Sequence, residues 1–308
     1  MNGARMVAQA KINLFLRILA REASGFHSLE TLFQRLDLGD LVSVRLNVAG
    51  RSLDCDDADA GPTERNLAWR AAVEYADATG WPSSFAIEVE KRIPVGAGLG
   101  GGSADAGAVL RLLDHLSPEP IGQQRLLQLA VRLGADVPFL TSTAVRALAW
   151  GRGERLLALP ALRSMPVALL IPSQRVATVE AFGWLAAARA THSDDHPGPI
   201  PQSRQLYLSD LGDWKSLEAV AGNDFEGPVA RHSSSVAALA GLRNGLRVLP
   251  GERDPLIYEM TGSGSTWFVL SPSSHALDAS ERLAGNLPGM TPVRTQTSQH
   301  VVEPQPIE

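Results

Sequence analysis

Residues 94–105 read PVGAGLGGGSAD and form the most informative segment of this 308-residue chain. Five of the seven residues from 96 to 102 are glycine. The residues that follow place apolar side chains at helical spacing, at Ala106, Val109, Leu110, Leu113 and Leu116. A glycine-rich loop that opens a helix lets backbone N–H groups converge on an anion at the positive end of the helix dipole. The segment therefore predicts a phosphate-binding loop.

Three other interpretations of the loop compete with this one. Gly96, Gly98 and Gly101 satisfy the GxGxxG dinucleotide fingerprint, but the acid expected after the next strand is missing, because Glu119 lies in a Ser-Pro-Glu-Pro turn. A Walker A loop would require lysine where the chain has Gly102. A glycine-rich turn that only permits tight packing would need no ligand at all, and the spacing leaves this alternative open.

Composition narrows the class of protein. With 44% hydrophobic and 20% charged residues, the chain is typical of globular proteins, and its 28 basic and 33 acidic residues give a net charge of -5. That balance lacks the basic excess that nucleic-acid binding needs, and the apolar runs are too short to span a membrane. We expect a small-molecule substrate, no nucleic acid, no membrane and no obligate protein partner. The single cysteine, Cys55, fits a cytoplasmic location.

Hydrophobic patterning predicts a mixture of strands and helices. Strands are expected at residues 7–16, 41–46, 85–89, 167–171 and 267–270, and helices at residues 66–79, after the glycine loop, and at 123–133. Gly134 is expected to end the last helix with a positive φ. The class is therefore α+β, and the length suggests two domains. A composition change places them at residues 1–160 and 161–292, followed by a C-terminal tail at 293–308 whose end is expected to fray.

A few polar residues stand out as candidates for chemistry. Only three of the 28 basic residues are lysines. Lys91 lies just before the predicted loop, and Lys11 lies on the first predicted strand with Asn13. Lys11 is either a site residue or an exposed strand lysine. Asp136 is either a site residue or a turn former before Pro138. Two further segments are equally ambiguous: 223-NDFE-226, and the small-residue turn at 262–265, which lets backbone approach a ligand closely.

Taken together, these motifs resemble the GHMP kinase superfamily, whose signature loop corresponds to residues 94–103. The resemblance extends in family order over residues 7–270. Its other motifs are 10-AKINLFL-16, 25-GFH-27, 32-LFQ-34, 133-LGADVPF-139, 223-NDFE-226 and 261-TGSG-264. The superfamily implies two domains with the active site in the cleft between them. The narrower motifs indicate the branch that phosphorylates a hydroxyl of a cytidylylated methylerythritol in non-mevalonate isoprenoid biosynthesis, giving the 2-phosphate and ADP.

The resemblance also implies roles for individual residues. Lys11 and Asp136 would be catalytic, and Asn13, Phe26, His27 and Asp136 would bind the acceptor, with Phe182 as the candidate for a second aromatic on the cytosine. Phe26 stands where the family usually has tyrosine. ATP would be the phosphoryl donor, with Mg²⁺ expected. The ATP-binding residues would be Asn66, Lys91, Pro94, Val95, Gly96, Ala97, Gly98, Leu99, Gly100, Gly101, Gly102, Ser103 and Ala104.

Asp105 is assigned to stabilising the N-terminus of the helix that follows the loop. Three alternative functions remain open at this point. They are a GHMP kinase for homoserine, mevalonate or a sugar, a non-catalytic nucleotide-binding module, and a Rossmann dehydrogenase. The presence of both Lys11 and Asp136 argues against the non-catalytic module, because nucleotide binding alone requires neither residue.

Overall fold

The computed structural model describes residues 2–21, 27–57, 61–190, 205–247 and 254–307. Strands and helices are mixed along the chain, which confirms the predicted α+β class. The strands are β1 (Gly3–Arg21), β2 (His27–Leu46), β3 (Arg51–Cys55), β4 (Phe85–Glu90), β5 (Arg146–Gly151), β6 (Arg155–Leu159), β7 (Pro166–Pro172), β8 (Gly222–Asn223), β9 (Ile257–Met260), β10 (Trp267–Leu270), β11 (Met290–Gln296) and β12 (Gln305–Pro306). The helices are α1 (Leu67–Thr79), α2 (Gly101–Leu116), α3 (Gly122–Leu133), α4 (Val137–Thr141), α5 (Thr178–Ala190), α6 (Trp214–Glu218), α7 (Glu226–Ala230), α8 (Ser234–Arg247) and α9 (Ser274–Gly285), with 3-10 turns at Thr63–Arg65 and Leu208–Leu211.

The first sheet is built around the long antiparallel pair of β1 and β2. β4 and β3 extend it beside the second half of β2, and β5 and β6 extend it beside the first half. Helix α2 packs on β1 and β2, and α1, α3 and α4 pack against α2. Register shifts on either side of residues 11–13 interrupt the β1–β2 ladder. Such bulges redirect side chains, and here they bracket Lys11 and Asn13.

The second sheet has the order β11-β7-β10-β9 and is entirely antiparallel. Side chains of β7 alternate between two hydrophobic clusters: Val167, Leu169 and Ile171 join the core of the first sheet, while Ala168 and Leu170 join a second core with α5, α7, α8 and α9. Because both faces are buried, the strand is a continuous apolar run rather than an alternating one. This explains why the run at 167–171 was recognisable in the sequence.

The end of β1 connects the two sheets. Leu16 and Ile18 enter the second core, and β8 pairs in parallel with β1 at Phe15 and Leu16. The described chain after β11 also returns to the first sheet, where the side chain of Gln9 donates to Ser298 Oγ over 2.8 Å and accepts from the Val302 amide over 3.1 Å. Residues 301–307, expected to fray, are instead held against β1.

Three local expectations differ from the structure. β2 begins at His27 and not near residue 41, because buried polar residues such as Thr31, Gln34 and Arg35 hide its apolar alternation. Helix α3 does end at Gly134, but with φ 165° and ψ 166°, which is extended backbone rather than the left-handed conformation expected there. β1 is also longer than the strand predicted at 7–16, by four residues at its start and five at its end, and the other predicted strands and helices with stated bounds agree with the structure to within one residue at each end.

Among the described residues, no helix combines the length and apolar character needed to cross a membrane.

Candidate functional site

A cavity of about 460 Å³ lies where the glycine-rich loop faces β1, the start of α4 and the turn at residues 261–265. Ten of the predicted loop residues, from Pro94 to Ser103, line it, together with Lys11, Asn13, Asn66, Lys91 and Asp136. Ala104 is the exception, since it is buried in the hydrophobic core behind the loop. The structure thus brings most of the predicted residues to one place.

Alternating residue types fix the shape of the loop. Gly96, Gly98 and Gly100 have φ of 75°, 78° and 76°, a left-handed conformation that disfavours any residue with a Cβ. Ala97 and Leu99 between them bury their side chains in the core. The amide of Lys11 donates to the carbonyl of Leu99 over 3.0 Å, which attaches the loop to β1. From Gly96 to Gly102 the loop therefore has glycine at five positions and buried side chains at the other two, which leaves its backbone accessible where α2 begins.

The small-residue turn at 261–265 packs directly on this loop. A Cβ at Gly98 would lie 2.7 Å from the carbonyl oxygen of Thr261 and 3.0 Å from that of Gly264. Gly262 and Ser263 line the cavity as well. The close backbone approach predicted for this turn is therefore made to the glycine loop, and the turn supports the loop from the second sheet.

Lys11 and Asp136 form an ion pair at the cavity, with Lys11 Nζ 3.2 Å from Asp136 Oδ2. The Lys11 ammonium also donates to Asn13 Oδ1 over 2.8 Å and to the carbonyl of Gly98 over 3.1 Å, so it connects the carboxylate to the loop. Lys11 is buried, while the side chain of Asp136 is 31% exposed. Asp136 immediately precedes α4, yet its side chain accepts no capping hydrogen bond. Its carboxylate faces the cavity and not its own helix.

Asn13 is held by several protein groups. Its Oδ1 accepts from the Gly262 amide over 3.0 Å as well as from Lys11, and its Nδ2 donates to Thr31 Oγ1 over 2.8 Å. Through these contacts Asn13 links β1, β2 and the turn of the second sheet at the wall of the cavity. The buried hydroxyl of Thr31, which no motif singled out, accepts from the Asn13 amide and orients it.

Lys91 belongs to a buried cluster that the sequence did not indicate. Its ammonium pairs with Asp40 and, over 2.8 Å, with Asp105, and all three side chains are no more than 6% exposed. Burial lowers the pKa of Lys91, but Asp105 and Asp40 outweigh it and raise that pKa overall. Burial raises the pKa of Asp105 to about 7, with Asp40 adding to the rise. Asp105 therefore does not stabilise the start of α2, as the sequence suggested, but pairs with Lys91.

Asp40 also explains the path of the chain into the loop. Its Oδ1 accepts from the amides of Arg92 and Ile93 over 2.6 and 2.7 Å. Position 40 follows the Leu-Gly pair in the middle of β2, and no spacing rule connects it to residue 91. Only the pairing of β2 with β4 brings it beneath the loop.

Asn66 lines the cavity and caps α1, where its Oδ1 accepts from the Ala68 amide over 2.9 Å.

The 223–226 motif, ambiguous in the sequence, supports the turn at residues 261–265. Asn223 Nδ2 donates to the carbonyls of Met260 and Gly262 over 2.7 and 2.8 Å, and Asp224 accepts from the amide of Ile18. These contacts are made within the protein.

A second cavity of about 1160 Å³ adjoins the first and shares Leu29, Ala135, Thr178 and Phe182 with it. His27 lines the second cavity, and its ring stacks on that of Phe182 with centroids 4.3 Å apart. Phe182 in turn meets Phe225 edge-on at 4.8 Å. Phe26 lies outside the described residues. Because Phe182 lines both cavities, the aromatic pair lies where the two cavities adjoin.

Within the described ranges, no group of three or more His, Cys, Asp or Glu side chains is arranged to hold a metal ion.

A glycine-rich loop that opens a helix and faces a lysine–aspartate pair is typical of small-molecule kinases of the GHMP class. A family model described as the GHMP kinases N terminal domain matches residues 66–143. The chain is 37% identical to a 4-diphosphocytidyl-2-C-methyl-D-erythritol kinase of Salinibacter ruber over 88% of its own length and 91% of the relative's. It is 36% identical to the kinase of that name from Mycolicibacterium paratuberculosis, over 89% and 85% of the two chains. The chain belongs to the 4-diphosphocytidyl-2-C-methyl-D-erythritol kinase family.

Solved structures agree with this assignment. A crystal structure of 4-(cytidine 5'-diphospho)-2C-methyl-D-erythritol kinase superposes with a TM-score of 0.70 at 33% identity, covering 96% of this chain and 99% of that one. A homoserine kinase from Cytophaga hutchinsonii reaches a TM-score of 0.66 at 16% identity, covering 99% and 97% of the two chains, and shares the fold alone. The resemblance predicted from the motifs is confirmed, and the protein is a kinase. The dehydrogenase and non-catalytic interpretations are wrong.

Proposed function

We propose that the protein transfers the γ-phosphoryl group of ATP to a hydroxyl of 4-diphosphocytidyl-2-C-methyl-D-erythritol, giving the 2-phosphate and ADP in the non-mevalonate route to isoprenoid precursors. The names of its relatives supply the acceptor. The observation that carries the chemistry is the 3.2 Å pair of Lys11 and Asp136 at the wall of the cavity formed by the glycine loop. ATP is the donor that GHMP kinases use.

The loop is the proposed site for the triphosphate. Its glycines adopt left-handed φ values, and N–H groups of such a loop would bind the phosphates together with the positive end of the α2 dipole. Asn66 and Lys91 would lie beside the nucleotide, although the Lys91 ammonium already contacts two carboxylates. For Lys91 we therefore favour a role in supporting the loop from below.

Asp136 is the proposed general base. A carboxylate that is partly exposed in a cavity can accept the proton of an attacking hydroxyl as the oxygen approaches the phosphorus. Lys11 lies between this carboxylate and the carbonyl of Gly98, so its charge would offset the negative charge that develops on the transferred group. Asn13 keeps the Lys11 ammonium in place and would also face the acceptor.

Mg²⁺ fits this arrangement without a cage of carboxylates. The ion usually binds substrate phosphates with one or two protein ligands and several waters. Ser103, at the cavity in the first turn of α2, is the residue we propose to hold it. When bound, the ion would neutralise charge on the β- and γ-phosphates.

The second cavity is the proposed site for the cytidylyl part of the acceptor. Its volume, about 1160 Å³, exceeds that of a typical drug-sized pocket. His27 and Phe182 line this cavity with stacked rings and are proposed to contact the base, with Phe26 assigned to the same task. Residues 1–160 and 161–292 are the proposed domains, with the site between them, and the segment 293–308 expected as a tail completes β11 and contacts β1. We place the kinase in the cytoplasm, with no obligate protein partner.

A coupled assay of ADP release tests the proposal. We expect turnover with the cytidylylated methylerythritol, and little or none with free methylerythritol, homoserine or mevalonate. A site built to pair with a base loses heavily when the base is absent. Removing the His27 ring (His27→Ala) should raise KM for the cytidylylated acceptor and leave KM for ATP unchanged. Preferred turnover of homoserine or mevalonate would overturn the acceptor and keep the kinase chemistry.

A further inference from the structure

Arg35 lies on β2 directly opposite Lys11 of β1. Residues opposite each other in an antiparallel pair project from the same face of the sheet, so both cations point toward α4. Arg35 is 2% exposed, and the resemblance to known kinases assigned it no role. A buried guanidinium needs partners for its N–H groups, because an unpaired buried donor is costly.

The partners of Arg35 are the backbone carbonyls at the end of α4. Nη2 donates to the carbonyls of Phe139, Leu140 and Ser142 over 2.8, 3.0 and 2.9 Å, and Nε donates to that of Ala144 over 2.9 Å. The guanidinium carbon lies 5.0 Å from the centroid of the Phe139 ring. Helix-end carbonyls lack partners within their own helix and favour a cation. Burial lowers the pKa of Arg35 to about 9, so its charge persists at neutral pH.

One cross-strand pair therefore holds both ends of one short helix. Lys11 contacts Asp136, the residue immediately before α4, and Arg35 contacts the carbonyls at its other end. All five residues of α4 are buried, and Phe139 stacks on Phe33 of β2 with centroids 4.8 Å apart. A helix of five residues is about 7.5 Å long, so a displacement at one end moves the other end as well.

From this geometry we infer that Arg35 is a positioning residue for phosphoryl transfer, which sets the place of Asp136 relative to Lys11 and the cavity. The inference rests on the proposed role of Asp136 as the base. Arg35 does not touch the cavity itself, so it acts only through α4. Loss of its contacts would let the carboxylate move, and a misplacement of about 1 Å can cost about 10²-fold in rate.

A second buried arginine provides a matched control. Arg146 lies on β5 opposite Gln34 of β2 and is 1% exposed. Its guanidinium donates to the carbonyl of Leu211 over 2.6 Å, away from α4 and from both cavities. Exchanging Arg146 for methionine removes a guanidinium as buried as that of Arg35 and leaves the helix that follows Asp136 untouched.

The experiment is a double-mutant cycle on the full-length kinase, with kcat and both KM values measured for R35M, D136N, the double variant R35M/D136N, and R146M. We expect R35M to lower kcat about 10- to 100-fold with KM for ATP changed less than about threefold, because only the reacting geometry is disturbed. In the D136N background the same change should lower kcat less than about threefold, since the group that Arg35 positions is already disabled. R146M should keep kcat within about threefold of wild type even where its Tm falls.

Each contrary result has a distinct meaning. Equal losses of kcat from R35M in both backgrounds, or wild-type kcat in folded R35M, would overturn the role of Arg35 while the base assignment stands. A D136N variant with wild-type kcat would overturn the base and the positioning role together. Where R35M does not fold, R35K takes its place in the cycle. Lysine keeps a cation at the helix end but cannot fork between four carbonyls, so a smaller loss that again disappears in the D136N background supports the inference.

Discussion

Lys11 and Lys91 are two of only three lysines in the chain, and both pair with aspartate beside the glycine loop, yet their surroundings differ. Lys11 has one carboxylate partner, Asp136, whose side chain is 31% exposed at the cavity. Lys91 has two, Asp40 and Asp105, which are 0% and 4% exposed. Lys11 also donates to the loop at Gly98, whereas the Lys91 ammonium lies under Gly101, 3.4 Å from where a Cβ would be.

The difference supports the roles proposed above, with Lys11 at the reacting site and Lys91 supporting the loop. A carboxylate with access to solvent and to a cavity can exchange a proton, while two buried carboxylates around one ammonium leave an excess negative charge that burial disfavours. The raised pKa of Asp105, about 7, lets the cluster become neutral by binding a proton. Residue type and proximity to the loop are thus shared by both lysines, and what differs is the carboxylate partner, which is partly exposed at the cavity for Lys11 and buried for Lys91.

The largest expected effect is on Asp136, the partly exposed partner of Lys11. Exchange of the Asp136 carboxylate for an amide (Asp136→Asn) keeps its size and removes the proton acceptor, so kcat should fall about 10²- to 10⁴-fold with little change in KM for ATP. Steady-state ADP release measures both constants. The same exchange at Asp213, the exposed N-cap of α6, should leave kcat unchanged. A loss of kcat below about tenfold in Asp136→Asn would show that Asp136 is not the base and that both lysine clusters are structural.

The buried cluster should respond in stability instead. Removing the ammonium (Lys91→Met) leaves Asp40 and Asp105 without their cation, which should lower the free energy of unfolding by about 3–5 kcal/mol. The third lysine, Lys215, is exposed, and Lys215→Met should stay within about 0.5 kcal/mol of wild type. Urea denaturation with both variants gives the comparison. Unchanged stability in Lys91→Met with a raised KM for ATP would show that Lys91 serves the nucleotide directly.

Replacing a loop glycine should weaken ATP binding more at Gly98, which contacts Lys11, than at Gly101, which lies above Lys91. Alanine at Gly98 would be strained by its φ of 78° and would press on the carbonyl of Thr261, whereas Gly101 meets only side chains, with Ile93 Cγ2 at 3.1 Å. We expect Gly98→Ala to raise the Kd for ATP about tenfold or more, a loss of ~1.4 kcal/mol, and Gly101→Ala to raise it less. Calorimetric titration with ATP decides the order. Gly80→Ala, with φ 73° and open space around it, controls for backbone strain alone.

The smallest expected effect is a pH dependence. The pKa of Asp105 is raised in the folded state from 3.8 to about 7, so the folded protein binds a proton that the unfolded chain releases between these values. This contribution to stability is present below about pH 4 and is lost as the pH rises toward about 7. Relative to wild type, Asp105→Asn should therefore gain stability from pH 5 to pH 8, by at least the 2–4 °C in Tm that ~1 kcal/mol produces. A constant difference in Tm across that range would contradict the raised pKa.

The linear order of residues settled much about this protein. The glycine loop, the apolar face of α2 and the buried run of β7 depend on spacing along one segment, and local spacing is visible in a sequence. The α+β class followed from these elements, and the kinase family followed from motifs in a fixed order. The candidates Lys11 and Asp136 were named in the same way.

Tertiary structure decided how those candidates are paired and which other residues support them. Asp40, Thr31 and Arg35 are polar residues within the long strand β2, where they look like interruptions of an apolar pattern. Pairing of β2 with β1 and β4 places Asp40 against Lys91, Thr31 against Asn13, and Arg35 against the end of α4. Asp40 and Lys91 are 51 residues apart in the sequence, and Arg35 and Leu140 are 105 residues apart. Such contacts form only when separate elements pack together. A buried charge is costly unless it is paired, so its partner is whichever group the packing brings close, and the spacing along the chain does not reveal that partner.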